Sequence, residues 1–237
     1  MTAQTHKEKI LGIIGGMGSE AASDLFSKII KLTPVKKDQD HIHIIIDNYP
    51  QIPDRTDFIF GKGEDPKEYL LRSAKFLEKS GADALLMACN TAHYFLPILM
   101  KEVKIPFISI IESAVNELKS SLPFAKNIAV LSTTGTKKSK IYDNALLQNG
   151  YNVLEISQDI QEEIMSAVYD GVKKGQTENF VDMFQKTIDK ISDTLKPDVF
   201  ICACTEIPIL MNFIVPKIEV IDATSALAKA AVKFAKN

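Results

Sequence analysis

Two of the three cysteines in this sequence occupy matching places in an internal repeat. The segment 83–89 (DALLMAC) aligns with the segment 198–204 (DVFICAC), and each is followed by a threonine-containing turn and then by Pro-Ile-Leu. A thiol has a pKa of about 8.5, so it can take or give a proton near neutral pH. Cys89 and Cys204 on opposite faces of one carbon acid would invert that carbon. The alternative is that both pack as small apolar side chains.

The repeat also places these thiols at the ends of predicted strands. Upstream of Cys89 lies the segment 12–18, and it aligns with the segment 129–135 upstream of Cys204. A strand end followed by a helix start exposes backbone N–H groups, which together with the helix dipole stabilise a thiolate. The remaining cysteine, Cys202, lies two residues before Cys204 and is interpreted as a packing residue.

Short apolar runs alternate with amphipathic segments along the whole chain. This pattern predicts parallel strands covered by helices, and so an α/β protein with two pseudosymmetric parallel-sheet domains facing each other across an active-site cleft. The predicted strands are 10–14, 41–46, 83–89, 106–111, 127–132, 152–157, 198–204 and 217–221, and the predicted helices are 19–33, 66–81, one from about 113, 141–149, 161–195 and one at the end of the chain.

Composition excludes several classes of protein. The 237 residues carry a formal net charge of −2, so no basic face predicts a nucleic-acid partner. No apolar stretch reaches the roughly 20 residues of a membrane helix, and the polar N-terminus does not resemble a secretory leader. An odd, small number of cysteines favours a cytoplasmic protein with reduced thiols. We expect no metal, since His41 and His43 have no third ligand nearby, and no sequence feature indicates a cofactor.

Polar residues directly after each cysteine are candidates for substrate binding. Asn90 and Thr91 either hold a carboxylate or cap a helix, and both can apply together. Glu206 binds a substrate ammonium or caps its own helix. His93 either tunes the Cys89 thiol or is a structural histidine.

Three further segments are candidates. The glycine-rich segment 15–19 (GGMGS) either approaches a small anion or is a tight turn, and the segment 132–136, which includes Thr133, takes its place in the second half. Arg55 follows two prolines that fix a loop, so its guanidinium either grips a carboxylate with two hydrogen bonds or forms an exposed ion pair. Lys173 is a surface lysine by default.

Four motifs in order resemble the aspartate/glutamate racemase family, and its aspartate racemase branch in particular. They are GGMG, NYPQIPDRT, MACNTAH and CACTEIPIL, and the resemblance covers 10–230. The Asp-Ser-Gly motif of glutamate racemases is absent, and the sequence departs from the family at Ser19, where proline is usual. The resemblance implies a racemase that needs no pyridoxal phosphate, is often dimeric, and has a first domain of 1–106 plus 217–237 and a second of 107–216.

The same resemblance implies a role for each matched residue. Cys89 and Cys204 are the acid/base pair. The substrate would be held by Asn90, Thr91 and Thr205 at its α-carboxylate and α-amino groups, by Arg55 and Lys173 (or Lys174) at its side-chain carboxylate, and by Met17 and Gln51 as pocket walls.

We therefore predict a cofactor-independent racemase of aspartate, with glutamate as a possible second substrate, that works by proton transfer between two thiols. A small amino acid is its partner, and a homodimer is expected. The alternatives are a related isomerase, decarboxylase or hydantoin racemase on the same scaffold, a protein that binds small acids without turnover, or a thiol redox protein, although Cys202 and Cys204 are poorly spaced for a disulfide.

Overall fold

Two parallel four-stranded sheets form the centre of the molecule. The computed structural model describes residues 8–237, so most of the N-terminal segment used for the leader prediction lies outside the described residues. The strands of the first sheet are β1 (Ile10–Gly15), β2 (His43–Asn48), β3 (Ala84–Met87) and β4 (Phe107–Ile108), and those of the second are β5 (Asn127–Ser132), β6 (Asn152–Val153), β7 (Val199–Ala203) and β8 (Glu219–Asp222).

The two sheets have the same topology. Their strand orders are β2-β1-β3-β4 and β6-β5-β7-β8, and all strand pairs are parallel. The central strands are mostly apolar, and every residue of β3 and β7 is buried. Strands buried on both faces need such continuous apolar runs, because helices cover both sides of the sheet. The predicted α/β class and its pseudosymmetry are therefore confirmed.

Eleven α-helices cover these sheets in the described part of the chain. They are α1 (Ser19–Leu32), α2 (Arg55–Ile59), α3 (Lys67–Lys79), α4 (Leu96–Glu102), α5 (Ile110–Ser121), α6 (Thr134–Ser139), α7 (Ile141–Gln148), α8 (Gln158–Ser166), α9 (Val181–Leu195), α10 (Ile207–Met211) and α11 (Ala223–Lys236). A π-helical segment, Ala167–Gly171, and a single turn, Val172–Lys174, interrupt the helical region predicted over 161–195. Across residues 8–237, no helix combines the length with the apolar composition that a membrane span requires.

The pairing of two edge strands does not follow the predicted domain boundaries, which are 1–106 plus 217–237 for the first domain and 107–216 for the second. By strand pairing, β4 belongs to the first sheet and β8 to the second, because each completes the sheet of its own repeat. Helix α11 packs against α1 and β1 of the first half and also against α5. Its small side chains, among them Ala226, Ala228 and Ala231, are fully or almost fully buried there and allow a close approach.

Several local predictions differ from the structure in extent. The segment 106–111 forms only two strand residues before α5 begins at Ile110, with Ser109 as its N-cap. The segment 152–157 is a strand only at Asn152–Val153. Helix α2 replaces part of a predicted loop, because the Asp54 side chain accepts hydrogen bonds from the backbone N–H groups of Thr56 and Asp57 and so caps a helix start.

Candidate active site

The two repeat-related cysteines lie at equivalent places and line one small cavity between the halves. Cys89 follows β3 and Cys204 follows β7, at the carboxyl ends of the central strands, where open α/β sheets bind ligands. Each cysteine is only 5% exposed. The cavity between the halves, here called the thiol cavity, has a volume of about 10 Å³, which is room for about one water molecule.

Ten of the eleven predicted site residues line the thiol cavity. Gln51 is the exception, since it lies exposed in the turn before α2 and does not line the cavity. Two lining residues, Thr56 and Tyr169, were not predicted. The full lining is Met17, Arg55, Thr56, Cys89, Asn90, Thr91, Thr133, Tyr169, Lys173, Cys204, Thr205 and Glu206.

The surroundings of Cys204 keep its proton in place. Its thiol donates to Glu206 Oε2 over 3.0 Å, and the Thr205 hydroxyl donates to the same oxygen over 3.1 Å. Burial, and after it the Glu206 carboxylate, raises the pKa of Cys204 well above its usual value, although Lys173 acts in the opposite direction. Glu206 does not cap its helix, and its second oxygen, Oε1, is buried without a hydrogen-bond partner.

Cys89 lies beside a cation, the Arg55 guanidinium, whereas Cys204 lies beside the Glu206 carboxylate. Arg55 is 6% exposed, and its pKa is raised: burial alone would lower it, but Cys89 and Asp54 outweigh that effect. The guanidinium also donates to the carbonyls of Ile52, Pro53 and Met17 over 3.2, 2.8 and 3.2 Å, and its Nε has no partner. Arg55 therefore forms no exposed ion pair, and its guanidinium does not project freely into the cavity, because backbone carbonyls already hold it.

Asn90 presents one unpartnered donor. It makes no capping bond to the turn it begins. Its Oδ1 accepts a hydrogen bond of 2.6 Å from the Tyr142 hydroxyl, while its Nδ2 is buried without a partner. Asn90 Nδ2 and Arg55 Nε are donors and Glu206 Oε1 is an acceptor, so the cavity wall holds two free donors and one free acceptor. An α-amino acid carries the complementary set, a carboxylate and an ammonium.

Threonine hydroxyls join the two halves beside the cysteines. Thr91 Oγ1 lies 3.0 Å from Thr133 Oγ1 and 2.8 Å from Thr136 Oγ1. Thr133 also caps α6, where its hydroxyl accepts from the Thr136 N–H. Thr205 Oγ1 is 3.5 Å from the Ala88 carbonyl oxygen in the other half. These contacts hold the halves together in a closed arrangement.

Lys173, rather than Lys174, lines the thiol cavity. Its ammonium lies 3.8 Å from the centre of the Tyr169 ring, and Lys174 is turned away in an ion pair with Asp170 of 2.8 Å. Burial would lower the pKa of Lys173, but Glu206, Tyr169 and Cys204 together raise it. The Tyr169 hydroxyl donates to Asp54 Oδ2 over 3.0 Å and so links the interrupted helical region of the second half to the first.

An outer cleft adjoins the thiol cavity. This cleft has a volume of about 450 Å³ and runs along the glycine-rich loop and the start of α1. Four residues, Met17, Arg55, Lys173 and Glu206, line both spaces and form the wall between them. Ser19 begins α1 in this cleft, where its hydroxyl accepts from Asn48 over 3.0 Å.

His93 and Cys202 are structural. His93 is 4% exposed, lies within hydrogen-bond distance of the Cys89 carbonyl oxygen (2.9 Å, from Nδ1) and accepts from the Ile110 N–H at Nε2 over 3.1 Å. Burial lowers its pKa to about 4, so it is neutral and holds the Cys89 turn against α5. Cys202 is fully buried in β7, as expected of a packing residue.

Known proteins resemble this chain over most of its length. The family model for Asp/Glu/Hydantoin racemases matches residues 14–231. The broad specificity amino-acid racemase RacX of Bacillus subtilis is 28% identical over 94% of this chain and 96% of its own length. A glutamate racemase of Aquifex pyrophilus is 33% identical, over 71% of this chain and 65% of its own length. The structure of Picrophilus torridus aspartate racemase superposes on this chain with a TM-score of 0.81 and 34% sequence identity. The match covers 96% of this chain and 94% of that protein.

Proposed function

Because the chain belongs to the Asp/Glu/Hydantoin racemase family and is an amino-acid racemase, we propose that it interconverts L- and D-aspartate with Cys89 and Cys204 as the two acid/base residues. The observation that carries this proposal is the pairing of both thiols in one cavity whose wall holds two unpartnered donors and one unpartnered acceptor. No cofactor takes part in the proposed reaction.

The proposed reaction moves one proton onto the substrate and one off it. The Cys89 thiolate, beside Arg55, removes the α-proton, so that an S–H bond forms, the C–H bond breaks and the electron pair moves into the α-carboxylate. The Cys204 thiol then delivers its proton to the opposite face of the α-carbon. Cys89 ends as a thiol and Cys204 as a thiolate, and the other enantiomer reacts by the reverse path.

The buried cavity favours this difficult proton abstraction. Free donors at Asn90 and Arg55 would stabilise negative charge that develops on the α-carboxylate, and fixed donors act strongly where water is excluded. Glu206 Oε1 would accept from the substrate ammonium. The raised pKa of Cys204 keeps its proton available for delivery.

The preference for an acidic side chain rests on the two cations. Arg55 and Lys173 both reach the wall between the outer cleft and the thiol cavity. A second carboxylate at this wall would meet both charges. The structural relative from Picrophilus torridus is an aspartate racemase, which supports aspartate over glutamate as the substrate. Homodimer formation stays a prediction.

Hydrogen exchange at the α-carbon tests the proposal directly. We expect the reduced protein in D₂O, without added cofactor, to replace the α-proton of L-aspartate with deuterium and to form D-aspartate, both observed by NMR. L-Glutamate is followed in parallel to rank the two substrates. Folded protein that exchanges neither acid would contradict the proposed substrate.

Single cysteine variants test the two-thiol mechanism. Cys89→Ala and Cys204→Ala should each lower racemisation by at least about 10³-fold, since neither the acid nor the base can be spared. Cys202→Ala is the matched control, because this buried thiol lies outside the cavity, and it should keep most of the activity. Full turnover by either cavity variant would exclude the mechanism.

A further inference from the structure

A tyrosine outside the thiol cavity forms a hydrogen bond with a residue that lines it. Tyr142 is 1% exposed and lies on α7 of the second half, and it does not line the cavity. Its hydroxyl donates to Asn90 Oδ1 over 2.6 Å. Asn90 belongs to the first half and does line the cavity, with its Nδ2 buried and unpartnered.

The chemistry of the two groups allows one satisfactory arrangement. An amide has an oxygen that only accepts and a nitrogen that only donates. Within residues 8–237, the Tyr142 hydroxyl has this one hydrogen-bond partner. If the Asn90 amide turned over, its nitrogen would donate to the tyrosine oxygen, and the hydroxyl proton would lose its acceptor. The amide oxygen would then confront the substrate carboxylate.

The hydroxyl also keeps its proton under working conditions. Burial raises the pKa of Tyr142 well above its usual value, and the neighbouring Cys202 and Asp222 act in the same direction. Tyr142 therefore remains a donor, and the bond also connects the two halves.

We propose that Tyr142 is a positioning residue of the racemase, whose hydroxyl fixes the Asn90 amide so that its N–H group faces the substrate α-carboxylate. The inference rests on the proposed function of the thiol cavity. Tyr142 acts through Asn90 and does not itself line the thiol cavity.

The first test removes the hydroxyl and nothing else. We expect Tyr142→Phe to lower kcat/KM for aspartate by about 10-fold, the effect of a lost or misdirected hydrogen bond of about 1.4 kcal/mol. Tyr151→Phe is the matched control. Tyr151 packs in the same core as Tyr142, is 7% exposed and has no side-chain hydrogen bond in the described structure, so its loss should leave kcat/KM within about 2-fold. Thermal unfolding checks that both variants are folded.

A double-mutant cycle separates positioning from general support. In an Asn90→Ala background, Tyr142→Phe should change kcat/KM by less than 2-fold, because the residue it acts through is gone. A structural role would give the same 10-fold loss in both backgrounds. Asn90→Asp adds a test that does not depend on Tyr142→Phe folding. It keeps an acceptor for Tyr142 but replaces the free donor with an oxygen, so we expect a loss of at least 10-fold.

The outcomes distinguish this inference from the function on which it rests. Wild-type protein without α-proton exchange would overturn the proposed function. Active wild-type protein, with Tyr142→Phe equal to Tyr151→Phe or with losses that add in the cycle, would overturn the positioning role alone.

Discussion

At Arg55, one guanidinium has both a structural and a proposed chemical task. It donates to three backbone carbonyls, which fix the loop before α2 and the glycine-rich loop, and it also lies beside Cys89. Lysine keeps the charge but has no planar fork with which to satisfy three carbonyls at once. The two tasks therefore respond differently to substitution.

We predict that Arg55→Lys lowers kcat/KM for aspartate by at least about 10-fold and that Arg55→Leu lowers it by a further factor of about 10. Both variants should also lose about 1–3 kcal/mol of unfolding free energy, because buried carbonyls lose their donors. Steady-state kinetics and urea unfolding measure the two effects. The exposed Arg72 is the matched control, and Arg72→Lys should change neither quantity appreciably. An Arg55→Leu enzyme with unchanged kcat/KM would limit Arg55 to its structural task.

Residue types and motif order anticipated most of this site. Cys89, Cys204 and their polar neighbours follow strands that the apolar runs identify, so the sequence indicates where they meet. Thr56 and Tyr169 carry no such signal. They reach the cavity only because α2 and the interrupted helical region of the second half pack together. Gln51 sits in a matched motif, but it is exposed in its turn and does not line the cavity.

At the level of elements, His93 fixes the turn after β3 to the start of α5. One ring nitrogen pairs with the Cys89 carbonyl and the other accepts from the Ile110 N–H. Protonation of the His93 ring would turn Nε2 into a donor that faces the Ile110 N–H, which is also a donor. Burial of the ring disfavours its positive charge as well. These effects agree with a pKa lowered from 6.5 to about 4.

We therefore predict that stability falls as the pH is lowered from about 6.5 to about 4. In this window the unfolded chain binds a proton at His93 while the folded protein does not, so the unfolded state is favoured. The loss approaches about 3 kcal/mol by pH 4 and levels off below it. Urea unfolding as a function of pH measures it. His93→Gln, whose amide can donate to one backbone group and accept from the other, should remove this part of the pH dependence. An unchanged pH dependence in His93→Gln would contradict the assignment.

The elements themselves were predictable to different degrees. Central strands were predicted within a few residues, since short continuous apolar runs bounded by turn signals are typical of buried parallel strands. The edge strands β4 and β6 are shorter than predicted, because apolar residues beyond them pack as helix or loop rather than in a ladder. Helix α2 was missed, although Asp54 as an N-cap is a signal that the sequence contains.

At the scale of the whole molecule, the thiol cavity exists only because the two halves approach closely. Helices α2 and α6 meet where Gly135 faces Thr56, and a Cβ atom at position 135 would lie 2.6 Å from the threonine Oγ1 and 2.9 Å from its Cα. A cavity of about 10 Å³ cannot hold an amino acid, so a substrate between the two thiols requires the halves to move apart from this arrangement and then to enclose it. Neither fact is visible in the sequence, because both depend on the contact between distant segments.

We predict that Gly135→Ala impairs closure more than it impairs folding. The added methyl group must displace the backbone at Thr56, and a shift of the halves by a fraction of an ångström misplaces Cys89 against Cys204. A displacement of about 1 Å can cost about 10²-fold in rate, so we expect kcat/KM to fall by about 10- to 100-fold. Stability should change less, because alanine favours α6 by about 1 kcal/mol and open halves relieve the clash.

Racemisation kinetics and thermal unfolding measure these two effects in parallel. Ser139→Ala is the control, since it changes α6 at a position without this contact and should keep the activity. If Gly135→Ala loses stability in proportion to activity, the contact serves folding. If its activity stays at the wild-type level, the closed arrangement tolerates separation at this point, and the tight contact between α2 and α6 is not needed for the reaction.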